Sequence, residues 1–182
     1  MAKLKRTQHR GDAAAFTMIE IMVVLVILGI AALIAMPMMS SAADMQVRGA
    51  ANRLAADLDY AKNMAITHQR SYTVVFDPAN ESYLIQNADG TIDNPLRPGA
   101  DFQVSFPAER SISRVAIVSV TLDPVDASNA ITFDYLGAPY SGTAVDATQA
   151  LNTGQVMLRD LSGNFTLTVN VEPMTGYVTI TP

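Results

Sequence analysis

Nineteen consecutive uncharged residues, Ile21 to Met39, begin directly after a lone carboxylate, Glu20, and follow a short basic stub. The hydrocarbon core of a bilayer, about 30 Å thick, is matched by about 20 helical residues. The run therefore predicts a membrane-spanning helix over 16–39. An acid at the mouth of such a segment costs a few kcal/mol unless something neutralises it, so Glu20 marks a functional site whose partner has to be identified.

The chain has 182 residues, enough for one membrane segment and one ordinary domain. Lys3, Lys5, Arg6 and Arg10 precede the apolar run with only Asp12 against them, which predicts that this end stays cytoplasmic. From Phe16 onward eight basic residues face sixteen acidic ones, a net charge of −8. An acidic body argues against a general nucleic-acid surface, which needs clustered Lys and Arg, and no nucleic-acid partner is expected. Cysteine is absent, which excludes disulfides and thiolate metal sites.

A cleaved secretory signal is the rival for the apolar run, with Ser41-Ala42-Ala43 before Asp44 as a small-residue cleavage site. Against it, the run exceeds the 7 to 15 apolar residues usual in a signal core, carries Glu20 at its mouth and leads into a long helical pattern. In that pattern Val47, Leu54, Leu58, Ala61 and Ala65 recur at helical spacing, with Ala51 and Met64 beside them. Arg48, Arg53, Asp57, Asp59 and Lys62 fall on the other faces, where Arg53 with Asp57 and Asp59 with Lys62 are placed for weak surface pairs. This amphipathic continuation covers 40–70. A helix unbroken from Phe16 to about His68 would be on the order of 80 Å long.

From Tyr72 the period becomes alternating, so 71–182 is expected to be a β-rich globular domain. Tyr72 to Phe76 and Ser82 to Ile85 read as a hairpin around Asp77-Pro78-Ala79-Asn80. Further strands are expected at Phe102 to Phe106, Val115 to Leu122, Ala130 to Tyr135, Gln155 to Leu158, Phe165 to Val171 and Tyr177 to Ile180. Seven or eight short strands imply one or two antiparallel sheets. Leu167, Val169 and Val171 alternate with Thr168 and Asn170, and that strand should bury one face against the helix. The fold class is thus α+β, a long N-terminal helix packed on antiparallel sheet.

The segment Ala15-Phe16-Thr17-Met18-Ile19-Glu20-Ile21-Met22-Val23-Val24-Leu25-Val26-Ile27-Leu28-Gly29-Ile30-Ala31-Ala32-Leu33-Ile34-Ala35 resembles the N-terminus of type IV pilins and of the pseudopilins of type II secretion. It combines a basic leader, a small residue before Phe, a Glu five positions into the mature chain and a long apolar helix. The resemblance implies that a prepilin peptidase/methyltransferase removes leader 1–15 by cutting between Ala15 and Phe16 and methylates the new amine of Phe16. The family usually has Gly where Ala15 stands. It also implies a pilin-like fold and neighbours of the same kind, with inner-membrane lipid around the helix and the globular domain in the periplasm.

The chemistry of this pattern is coherent. Cutting before Phe16 creates a cationic amine about 6 Å along the helix axis from Glu20, so the amine of one subunit can meet Glu20 of a neighbour. In a low dielectric such a pair offsets much of the burial cost and favours a staggered register, which makes Glu20 the assembly residue. The bland alternative is a Glu20 that stays solvated at the interface. Gly29, Ala31, Ala32 and Ala35 thin the helix for close packing, with Ala31 and Ala35 in small-xxx-small spacing. Pro37 removes one helical hydrogen bond, and a kink or local melting is expected there.

Three further segments narrow the resemblance to H-type minor pseudopilins and FimT-like minor pilins. They are Leu54 to Val75, Ile131-Thr132-Phe133-Asp134-Tyr135-Leu136-Gly137-Ala138-Pro139, and Thr175-Gly176-Tyr177-Val178-Thr179-Ile180. The loops at 88–100 and 141–153 are unmatched. Gly137 and Gly176 read as backbone-geometry positions.

Catalysis finds little support. The only histidines are His9 and His68, so neither a His-based triad nor a His-rich metal site can be assembled. No phosphate loop or dinucleotide fingerprint is present, and no cofactor is expected. Asn87, Asp89, Gly90 and Asp93 carry oxygen ligands, yet their spacing lacks the closing Glu of a calcium loop and reads by default as a polar turn. The expected function is a non-enzymatic minor pseudopilin of a type II secretion pseudopilus. The alternatives are a minor pilin of a type IV pilus, acting in priming, adhesion or DNA uptake, and a secreted β-rich binding domain. Gly176 to Pro182 contains no Lys or Arg, which lowers the DNA-binding version.

Overall fold

A computed structural model describes residues 17–145 and 147–182, and within these the side chains of all but 33–41 and 147. The leader and the expected cut at Ala15 and Phe16 lie outside the described residues. One helix, Met18–His68 (α1), is followed by short strands. The boundary between two compact units, 1–39 and 40–182, falls inside α1.

In the first unit, Thr17 precedes the helix and supplies its cap. The Glu20 N–H donates to Thr17 O at 3.0 Å and to Thr17 Oγ1 at 3.3 Å. Every residue from Thr17 to Ala32 is exposed. The helical backbone continues through Pro37. Among the described residues no helix is long and apolar enough to cross a membrane. The span expected over 16–39 includes Phe16 and the side chains of 33–39, which lie outside the described set.

In the second unit, the helical stripe becomes the centre of the core. Val47, Ala50, Ala51, Leu54, Leu58, Ala61 and Ala65 are all fully buried, the spacing of three and four keeping them on one face. The helix stops where Gln69 turns left-handed (φ 52°) and the Arg70 N–H reaches back to Ala65 O at 3.2 Å, a Schellman-type end.

The strands are Tyr72–Asp77 (β1), Ser82–Asn87 (β2), Gly90–Thr91 (β3), Asp93–Asn94 (β4), Arg97–Asp101 (β5), Gln103–Ser105 (β6), Val115–Asp123 (β7), Ala130–Phe133 (β8), Pro139–Ser141 (β9), Thr153–Asp160 (β10), Thr166–Val171 (β11) and Val178–Thr181 (β12). One antiparallel sheet has the order β3-β2-β1-β8-β9 with β6 also on β2, a second has β12-β11-β10-β7, and β4-β5 form a separate ribbon. The expected hairpin forms with Val75 opposite Leu84. Its connection is a single 3-10 turn, capped by the Asp77 carboxylate on Asn80 N at 3.1 Å. Leu167, Val169 and Val171 of β11 are buried in the same cluster as the helix stripe and the inner faces of both sheets.

The structure extends the sequence reading at β3, β4, β5 and β9. The first three lie in the expected loop at 88–100, where two- to five-residue pairings, with β5 exposed throughout, carry no alternation to read. At β9, Pro139 masks a strand that pairs only at the sheet edge.

Candidate functional site

The residues singled out for assembly lie along the start of α1. Glu20 occupies the first turn, exposed, with its own N–H tied to Thr17. Thr17 and Glu20 have the Thr-x-x-Glu spacing of a capping box. Sequence reasoning missed the role of Thr17, although that spacing was there to be seen. Gly29, Ala31 and Ala32 are exposed, and a Cβ added at Gly29 would meet nothing within 4 Å. The side chains of Ala35 and Pro37 lie outside the described set. Large apolar side chains crowd the same helix, with Met18, Ile19, Met22, Leu25 and Val26 all more than 60 % exposed. Among the described residues, this stretch of helix is exposed on every side.

A second constellation fastens the helix into the globular unit. The Tyr83 hydroxyl on β2 donates to Asp57 Oδ2 at 2.6 Å, and Arg53 Nε donates to the same oxygen at 3.0 Å. Arg53 also lies 3.6 Å from Glu109, which Arg97 approaches at 3.8 Å. The expected Arg53–Asp57 pair therefore forms, but Asp57 is buried rather than on the surface. Burial alone would raise the Asp57 carboxyl, and it outweighs the Tyr83 hydrogen bond and the Arg53 charge that pull it down. Burial and the adjoining Asp57 charge push the Tyr83 hydroxyl well above its ordinary value.

Both ends of this ion pair are raised, which favours the charged form of Arg53 but the neutral form of Asp57. For Arg53, burial acts to lower the guanidinium, yet the charge and hydrogen bond of Asp57 leave it raised. Attraction thus prevails at Arg53 and desolvation at Asp57. The Asp57 side chain is the deeper of the two, at 12 % exposure against 29 %. For pH dependence the Asp57 direction governs, because an arginine stays charged throughout the accessible range.

The two C-terminal motifs meet against the helix. Gly137 (φ 84°) and Gly176 (φ 58°) are both left-handed, and a Cβ on Gly176 would sit 2.8 Å from Gly137 O. A Cβ on Gly137 would lie 2.9 Å from Ile66 Cδ1. Lys62 joins them, donating to Gly176 O at 3.0 Å while paired with Asp59 at 3.1 Å. These glycines therefore serve close backbone approach as well as the turn itself.

Two of the residues weighed for calcium, Asn87 and Asp89, are engaged otherwise. Asn87 Oδ1 accepts from Asp89 N at 2.7 Å, and Asp89 pairs with Arg70 Nη1 at 2.7 Å. Among the described residues no group of three or more His, Asp or Glu is placed to hold a metal ion. His68 closes the helix end, its Nδ1 3.1 Å from Met64 O.

The geometry thus presents an uncovered helix start joined to a firmly packed α+β unit. A family model described as type II transport protein GspH matches residues 50–175. A second, described as the prokaryotic N-terminal methylation motif, matches residues 10–36. Among solved structures, the minor pseudopilin EpsH from the Type 2 Secretion System of Vibrio cholerae is similar with a TM-score of 0.51 at 10 % identity, covering 75 % of this chain and 96 % of that one. The type IV minor pilin FimU of Pseudomonas aeruginosa gives a TM-score of 0.45 at 17 % identity, covering 74 % and 92 %. No curated protein sequence matches the chain.

Proposed function

This chain belongs to the GspH family of type II transport proteins, and from that premise we infer that it is a minor pseudopilin, a structural subunit of a pilus-like fibre that helps drive protein export. The observation that carries the reading is the start of α1, where every residue from Thr17 to Ala32 is exposed and nearly all are apolar. Covering each large side chain is worth about 1.5–3 kcal/mol, so the helix gains strongly from lipid before assembly and from neighbouring helices after it.

In this reading the leader 1–15 is cytoplasmic, the helix is held in the inner membrane and the unit from Ser40 onward is periplasmic. A prepilin peptidase cuts between Ala15 and Phe16 and the Phe16 amine is methylated, consistent with the methylation-motif match over 10–36. The freed amine meets Glu20 of a neighbouring subunit. Gly29, Ala31, Ala32 and Ala35 allow the helices close approach, and Pro37 bends the helix within the bundle. The work is mechanical rather than catalytic.

N-terminal sequencing of the mature protein tests this directly. Phe16 as first residue, especially methylated, supports the reading, whereas Asp44 would replace it with a secreted domain. Glu20→Ala should leave the protein folded and inserted but poorly incorporated into fibres. Normal incorporation would rule out the amine–carboxylate pairing.

A further inference from the structure

The outer face of the second sheet is set by the same alternation that builds the core. Val156, Leu158, Val169 and Val171 turn inward and are buried, so their neighbours along β10 and β11 turn to solvent. The register aligns these neighbours into rows. Gln155 lies opposite Thr121 on β7 and Asn170 on β11, and Asn170 lies opposite Thr179 on β12. In the next row Met157 lies between Ser119 and Thr168, with Thr181 beyond. Edges of solvated sheets are commonly blunted with charge, above all Lys. The edge strand β12 and both rows carry none, although the chain from Phe16 onward has a net charge of −8.

A cleft opens over these rows, its lining including Asn152, Gln155, Asn170, Glu172, Pro173 and Thr179. Its polar groups are largely unspent. Asn170 Nδ2 donates to Thr181 Oγ1 at 3.0 Å, which fixes the amide and leaves Oδ1 free to accept. The side chains of Asn152, Gln155 and Thr179 have no hydrogen-bond partner among the described residues. At one end the Glu172 N–H donates to Tyr177 O at 2.8 Å, which holds Tyr177 beside Glu172 with 62 % of its surface exposed.

We propose that this cleft is a saccharide site, in which an uncharged glycan chain lies across β10, β11 and β12. Strands about 4.8 Å apart present amides and hydroxyls at regular intervals. Such groups both donate and accept, which suits a ligand whose own hydroxyls do the same. Tyr177 offers a ring face to the C–H side of a sugar while its hydroxyl stays in water. Charge disfavours the other ligand classes. An anionic chain would meet Glu172 and also Asp123, which stands opposite Thr153. A cationic one would find no carboxylate on either row, and an apolar ligand would find Met157 alone. The site stands apart from the fibre reading, since every residue it uses lies in the unit 40–182.

Isothermal calorimetry on the full-length protein, held in a zwitterionic detergent that carries no sugar, tests the site with maltohexaose, cellohexaose and chitohexaose as probes. At least one should bind with a Kd below about 1 mM, and its affinity should be unchanged by high salt because no ion pair is involved. Gln155→Ala removes a side chain with no partner in its own chain, and Thr179→Val keeps a β-branched residue in the strand. Each should weaken binding roughly tenfold while leaving the urea midpoint in place. Failure of all three probes to bind at millimolar concentration would overturn the site. Undiminished binding in both variants would refute this cleft as its place, and binding lost in high salt would refute a neutral ligand.

Discussion

Replacing Tyr83 by Phe removes one hydroxyl and no volume, and so isolates the polar link between α1 and the first sheet. In the native protein that hydroxyl donates to Asp57 Oδ2 at 2.6 Å, and the Tyr83 side chain is buried at 1 % exposure. A hydrogen bond to a charged group contributes about 1.5–3 kcal/mol, and because Arg53 still holds the same oxygen, we expect a loss of about 2 kcal/mol at pH 7. The loss should depend on pH with a definite sign. Asp57 is raised above the ordinary 3.8, first by burial, so folding favours its protonated form. Its contribution is full below pH 3.8 and declines as pH climbs through the folded value. Tyr83→Phe deletes a bond that pulls Asp57 down, so the carboxyl rises further and the deficit widens toward neutral pH. Below pH 3.8 the lost bond is between neutral groups and costs about 1 kcal/mol. Urea unfolding of the full chain in detergent, followed by far-UV circular dichroism at pH 3 and pH 7, measures both values. Equal losses at the two pH values, or less than about 0.5 kcal/mol at pH 7, would refute this account of the Asp57 network.

Two further perturbations test the turns. Gly176→Ala sets a Cβ 2.8 Å from the Gly137 carbonyl oxygen at φ 58°, whereas Gly163→Ala at φ 80° meets nothing within 4 Å. We expect about 3 kcal/mol for the first and about 1 kcal/mol for the second, since both carry the left-handed strain but only Gly176 also clashes with backbone; equal midpoints in urea would contradict the packing argument. Asp160 should respond to acid in the opposite sense from Asp57. Burial acts to raise it, but the bonds it accepts from Ser162 and from backbone N–H groups, including Phe165 N at 2.7 Å, hold it below 3.8. Its stabilisation is therefore present above pH 3.8 and lost as pH falls through the depressed value, so the gap between wild type and Asp160→Asn should shrink from pH 7 to pH 3 in the same urea series.

What could be read from the sequence was local and periodic. Val47, Leu54, Leu58, Ala61 and Ala65 declare a helix face by their spacing alone, and each is fully buried. Leu167, Val169 and Val171 declare a strand in the same way. The ribbon β4-β5 could not be read so, because Arg97–Asp101 has no buried face to impose alternation. Asp57 was misjudged for a related reason. Helical spacing put it beside Arg53, which is correct, but its burial is decided by Tyr83, twenty-six residues away on a strand that the helix covers. The same non-locality hides the junction of Gly137 and Gly176. Each glycine was legible as a turn, but their mutual contact exists only once β8 and the segment before β12 are brought against Lys62 and Ile66.

The helix start also changes how the lone carboxylate at Glu20 is balanced. A first turn exposes backbone N–H groups that have no helical acceptor, and the positive end of the helix dipole lies there. A carboxylate in that position gains about 0.3–1 kcal/mol from the helix itself. Thr17 already accepts from the Glu20 N–H, so the turn is capped without calling on the Glu20 side chain. Glu20 is therefore partly compensated by its own helix while its carboxylate remains available to a partner. The helix term is smaller than the few kcal/mol that a bare acid costs inside a membrane, so the incentive to find a cation persists. In the proposed fibre, a cut before Phe16 would set an amine about 6 Å, one turn, along the axis from Glu20 of the same chain. A neighbouring helix shifted along its axis would bring its own amine level with Glu20, and in the proposed fibre that pairing would select the stagger between the two helices.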